Sequence, residues 1–201
     1  MEDSLIFVDN GFFKLVKKHF EEKSNKKLAF FKTFRNICGN ENLKLKHLFF
    51  YTAPPYQGER PLKGEVSLIK NYNNLVRMLK SKKWVSVCEG RCQRLKINGE
   101  FVYKQKGVDI LFAMDLMRFE KKFPNVKKII LIACDSDFVP AIQQLKEDGV
   151  EIILYTYFDR KRNSSFSRYN ELLDVCSKWI RLDERFFEEK KKNKKILVTS
   201  E

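Results

Sequence analysis

Apolar positions along the chain follow two rhythms that replace one another from end to end. Strand-length apolar or alternating runs fall at residues 4–8, 43–51, 84–95, 129–133, 150–155 and 179–182. Between them the spacing turns helical. Phe13, Val16 and Phe20 mark one face, and Leu28, Phe31, Phe34 and Ile37 resume it after a polar break at 23–27, with Gly39 as a stop. Val66, Ile69, Leu75 and Met78 predict a helix over 65–79. Leu111, Phe112, Met114, Leu116 and Phe119 predict one over 106–122, closed by Lys121 and Lys122. Phe138, Ile142 and Leu145 predict another over 138–147, with Gly149 just past it, and 169–176 reads as a last helix.

Two stretches break the alternation. Residues 53–62 hold Pro54, Pro55, Gly58 and Pro61 and read as a loop. Asn98-Gly99, between alternating residues at 97–103, is a hairpin signal. Strands that alternate with helices imply one α/β domain with a mainly parallel central sheet and helices on both faces. The hairpin is expected as an antiparallel addition at a sheet edge. No repeat or linker splits the chain, so the domain is expected over 1–185, followed by a charged basic tail at 186–201.

The most informative stretch is Ile129 to Phe138. A buried-strand run ends in Asp135-Ser136-Asp137, and a helix follows. Ser136 or Asp137 could serve only as a helix cap. Other carboxylates at matching places give the pair a second meaning: Asp9 follows the first strand, and Asp109 opens the 106–122 helix. In a doubly wound sheet such ends share one rim. Carboxylates held together there repel one another, and a divalent cation is the natural counter-charge. Asp115 lies six residues after Asp109, about 240° round a helix, so it faces away and is a supporting residue.

Composition sharpens this. The chain has 201 residues, 43% of them hydrophobic and 18 of them Phe, enough for a packed core. Its net charge is +14, which points to a polyanionic partner, nucleic acid first. A basic surface around an acidic, metal-loaded cleft suits a phosphodiester. No apolar stretch is long enough to span a membrane. An odd number of Cys, five, with no leader-like start, predicts a reducing, cytoplasmic setting. Cys88 and Cys92 lack a second ligand pair for zinc, and a turn at Glu89-Gly90-Arg91 explains their spacing.

Asp9 after an apolar strand, Lys106-Gly107-Val108-Asp109 with Asp115 following, and Asp135-Ser136-Asp137-Phe138-Val139-Pro140 together resemble the NYN domain, the branch of the PIN-like nuclease superfamily that includes the LabA-like proteins. The resemblance spans roughly residues 4 to 182. It implies a PIN-like fold and a metal-dependent nuclease, usually an endoribonuclease. By the same resemblance Asp9, Asp109, Asp135 and Asp137 hold Mg²⁺ or Mn²⁺, directly or through water, and Lys106 approaches a substrate phosphate. Asn10, Ser136 and Ser165 are candidates for polar contacts, and Arg160, Lys161 and Arg162 for the nucleic-acid backbone. The family often carries Asn where this chain has Phe12, so an inactive RNA-binding module is the competing class. A homo-oligomer is left open.

Overall fold

The computed structural model describes residues 1–25, 28–59, 61–159, 166 and 170–188. The described chain runs β1 (Glu2–Asp9), α1 (Asn10–Ser24), α2 (Phe30–Asn40), β2 (Leu43–Thr52), α3 (Lys63–Lys80), β3 (Val85–Glu89), β4 (Arg91–Ile97), β5 (Glu100–Lys106), α4 (Val108–Leu116), β6 (Lys128–Ile132), α5 (Val139–Glu147), β7 (Glu151–Thr156), α6 (Asn170–Val175) and β8 (Lys178–Arg181). Six strands form one sheet in the order β3-β2-β1-β6-β7-β8, and every pairing is parallel. β1, in the middle, is fully buried from Leu5 to Val8, as a strand covered on both faces must be.

Side chains alternate to opposite faces of the sheet and build two cores. Leu5, Phe7, Ile129, Leu131, Ile152 and Leu154 point toward α4, α5 and α6. Ile6, Val8, Ile130, Ile132, Ile153 and Tyr155 point toward α1 and α2. The expected parallel α/β architecture with helices on both faces is therefore the observed one. Packing continues through Phe186 and Phe187, both buried, two residues beyond the boundary expected at 185. No helix of the described residues is long and apolar enough to cross a membrane.

Three local expectations are corrected. The run at 84–95 is not one strand: the chain turns at Gly90, and only its first half joins the sheet. The hairpin does not extend the sheet edge. β4 and β5 pair antiparallel as a separate ribbon. The helix expected at 106–122 ends at Leu116, and the chain makes a 3₁₀ turn at Phe119–Lys121 that brings Phe119 into the core.

Gly90 is where sheet and ribbon part company. Its N–H donates to the Thr52 carbonyl at 2.8 Å. A Cβ built there would lie 2.6 Å from the Lys106 carbonyl oxygen and 2.7 Å from Val108 Cγ2. The ribbon thus leaves and re-enters through one crowded point, beside the start of α4. Gly90→Ala is expected to cost on the order of 1–3 kcal/mol by overpacking, read as a lower urea midpoint. An unchanged midpoint would mean the ribbon base is loose.

Candidate metal centre at the sheet rim

The carboxyl ends of the central strands set the site. In register Asp9 of β1 lies beside Tyr51 of β2, and Val8 lies beside Ile132 of β6. Asp135 follows β6 by three residues, so both acidic strand ends reach the same rim. Asp9 also starts α1. Its Oδ1 accepts from the Gly11 N–H at 2.8 Å and occupies the helix N-cap. Asp135 repeats the device: its Oδ1 accepts from the Asp137 N–H at 3.0 Å, fixing the turn Ser136–Phe138 that leads into α5. The capping role predicted for Ser136 or Asp137 belongs to Asp135.

Asp109 arrives by another route. The ribbon ends at Lys106, and Gly107 adopts φ +77°, a left-handed conformation that a side chain would strain. The chain reverses there and enters α4 with Asp109 in its first turn. One turn later Phe112 stacks on Phe138, with ring centres 4.2 Å apart and planes 17° from parallel. Phe138 directly follows Asp137. Phe112 also meets Phe7 and Tyr51, at 5.9 Å and 4.6 Å. Each ring stands one to three residues from, or in register with, an acidic residue of the rim. The aromatic floor therefore sets where the carboxylates stand.

Electrostatics place the acids within reach of one another. Burial pushes the Asp9 carboxyl from 3.8 up to about 6, with Asp109 and Asp135 adding repulsion while the Gly11 and Phe12 N–H groups oppose the rise. Asp109, open to solvent on one side, is also raised, first by partial burial and then by Asp135 and Asp137. Cys134, beside them, is pushed up to about 12 by burial and by Asp9 and Asp135. This is an all-oxygen acidic donor set, the kind that suits a hard divalent cation. Among the described residues, however, no three His, Cys, Asp or Glu side chains lie close enough to hold one ion outright.

The remaining expected residues divide clearly. Asn10 Nδ2 donates to Thr52 Oγ1 at 2.9 Å, so its amide is fixed at the rim. Phe12 is buried in the α1 core face. Lys106 is exposed beside Gly107. Asp115 turns away from Asp109 and accepts from the Tyr51 hydroxyl at 3.0 Å and the Cys88 thiol at 3.4 Å. It braces Tyr51, and Tyr51 is the neighbour of Asp9. Arg160, Lys161, Arg162 and Ser165 lie outside the described residues. Sequence reasoning missed Thr52 and Cys88. Their signal was positional, since both lie at or near the carboxyl ends of strands flanking β1.

These features define a parallel α/β domain with an acidic rim at the carboxyl ends of its central strands. The NYN domain family model matches residues 6–183, and the chain belongs to that family. No match was found among curated proteins. The fold is similar to that of a protein of unknown function from Vibrio parahaemolyticus, known from a crystal structure. The two are 14% identical with a TM-score of 0.58, over 92% of this chain and 95% of that one. At that identity the likeness shows the fold alone.

A raised Asp9 carboxyl means that the folded protein holds its proton more tightly than the unfolded chain does. The metal-free protein should therefore lose stability as pH rises from about 4 to about 6, and stay at the lower level above that. Asp9→Asn keeps the helix cap and removes the charge. In EDTA at neutral pH it is expected to stabilise the fold by up to about 3 kcal/mol and to flatten this pH slope, as read by urea unfolding. A destabilised variant would show that neither burial nor the neighbouring acids disfavour the Asp9 charge.

Proposed function

We propose that the chain is a metal-dependent nuclease, an endoribonuclease of the LabA-like branch of the NYN family. The observation that supports this reading is that Asp9 and Asp135, capping successive elements at the carboxyl ends of β1 and β6, and Asp109, in the first turn of α4, stand near enough for Asp109 and Asp135 to add to the burial that raises the Asp9 carboxyl, while Asp135 and Asp137 do the same for Asp109. These four carboxylates hold Mg²⁺ or Mn²⁺, directly or through water. A cation bound there would supply charge stabilisation at the scissile phosphate and a water made nucleophilic at neutral pH.

The chain's own groups do the positioning. Asp9 and Asp135 each use one oxygen to cap a turn, which fixes the rotamer and leaves the other oxygen for the ion. Lys106, exposed at the turn into α4, meets the substrate phosphate. Ser136 and the Thr52-bound Asn10 contribute polar contacts. Arg160, Lys161, Arg162 and Ser165 are assigned to the nucleic-acid backbone from sequence alone, and the basic segment beyond Phe187 adds affinity that weakens with salt. All five cysteines are unpaired, which suits a reducing, cytoplasmic setting.

A regulatory NYN module that binds RNA without cutting it is the competing reading. It draws on buried Phe12 and on the absence, among the described residues, of three acids close enough to chelate an ion outright. Asp135→Asn separates the two, because the amide keeps the cap to Asp137 and loses the charge. The nuclease reading expects Mn²⁺-dependent cleavage of RNA that stops with EDTA and falls at least about a hundredfold in the variant, while thermal unfolding is unchanged or shifted upward. Salt-sensitive RNA binding with no products on long incubation would favour the module.

A further inference from the structure

One face of the ribbon β4–β5 has no part in the phosphodiester chemistry proposed above. Of the ribbon's basic side chains, Arg94 and Lys96 leave this face and Arg91, Lys104 and Lys106 the other, against the single acid Glu100. Strand pairing sets Arg94 opposite Tyr103 and Lys96 opposite Phe101, so these four share a face. On that face the Arg94 guanidinium lies 4.4 Å from the Phe101 ring centre and 4.5 Å from that of Tyr56. The Tyr56 and Tyr103 rings are 6.1 Å apart.

The cluster is held in place. Glu65, buried at the start of α3, accepts from the Tyr103 hydroxyl at 2.6 Å, from Arg94 at 3.4 Å and from the Leu62 N–H at 2.8 Å. Tyr56 folds back over Gly58, where a Cβ would come within 2.9 Å of its ring. Yet the rings are open to solvent: Phe101 is 50% exposed and Tyr103 45%. Beside them Leu62 and Leu68 line an open cavity of about 440 Å³. Planar groups that are fixed in place and still open to solvent are suited to stacking against a further flat group.

We propose that this face is a stacking platform for unpaired bases, so that the nucleic acid taken by the rim is a single strand or the single-stranded part of a folded one. The proposal rests on the nuclease reading for the identity of the polyanion. Bases in a duplex are stacked on one another, whereas unpaired bases stack on aromatic and guanidinium planes. Exposed rings beside Arg94 and Lys96 match a base with its phosphate better than they match an apolar peptide. The ribbon's base adjoins the rim. Glu89, Arg91, Lys106, Gly107 and Ile110 line an open groove there, next in sequence to Asp109. Tyr103 stands three residues of strand, about 10 Å, from Lys106, whose side chain leaves the other face of the ribbon.

The test uses the full chain carrying Asp135→Asn, in EDTA so that nothing is cut. It is titrated with a short unstructured RNA, with the same strand bearing abasic positions, and with a blunt RNA duplex. Phe101→Ala and Tyr56→Ala are each expected to weaken the unstructured strand roughly five- to a hundredfold and to leave the duplex and the abasic strand unchanged. Phe101 is exposed, so thermal melting of its variant should match the parent. Equal losses on all three probes would overturn the proposal in favour of a general charge effect. No loss on any probe would overturn it and leave the exposed rings to a protein partner. If the parent binds none of the three, the nuclease reading fails as well. If the protein without Asp135→Asn cuts RNA with Mn²⁺ while Phe101→Ala changes nothing, the platform alone fails.

Discussion

Acids that raise one another's pKa at a sheet rim do not stay there unless something holds them. Here the holder is the aromatic floor made by Phe7, Tyr51, Phe112 and Phe138, all fully buried beneath the rim. The opposing force can be sized. Moving the Asp9 carboxyl from 3.8 to about 6 corresponds to roughly 3 kcal/mol against its ionised form at neutral pH. Each buried ring contributes about 1.5–3 kcal/mol by leaving water, and a close stack such as Phe112 on Phe138 adds about 0.5–1.5 kcal/mol. Several rings against one strained acid is a contest the floor wins. The rim can therefore stay electrostatically uncomfortable, which is the condition in which a cation binds best.

The sheet supplies direction as well as rigidity. Because all six strands are parallel, their carboxyl ends lie on one rim, and loops that follow them meet there. Asp9 and Asp135 come directly from strands. Asp109 comes from the ribbon by way of Gly107, and Gly90 crowds that same junction. The ribbon is therefore tied to the acidic rim at its base and to α3 through Glu65 at its middle. A strand of nucleic acid lying along it would be placed relative to the carboxylates by covalent geometry and two anchoring contacts.

Much of this was legible in the chain itself. Apolar rhythm located every strand of the sheet, and Asp-Ser-Asp after a buried run marked the rim. The angular argument that turned Asp115 away from Asp109 agrees with its bonds to Tyr51 and Cys88. The errors share a cause. A period-two pattern does not say which strand a strand pairs with, so 84–95 read as one element when Gly90 divides it between sheet and ribbon. Helical spacing likewise ran past Leu116, because Phe119 is apolar and lands in the core by a 3₁₀ turn. Thr52 and Cys88 carry no motif, and only the register of neighbouring strands brings them to the site.

Anomalous diffraction from crystals soaked in Mn²⁺ would test the central claim most directly, because it locates the ion without relying on turnover. The account predicts a single strong peak, or a close pair, bounded by Asp9, Asp109 and Asp135, with Asp137 at its edge. A protein that takes up no Mn²⁺ at this rim, or takes it up on another face, would contradict it.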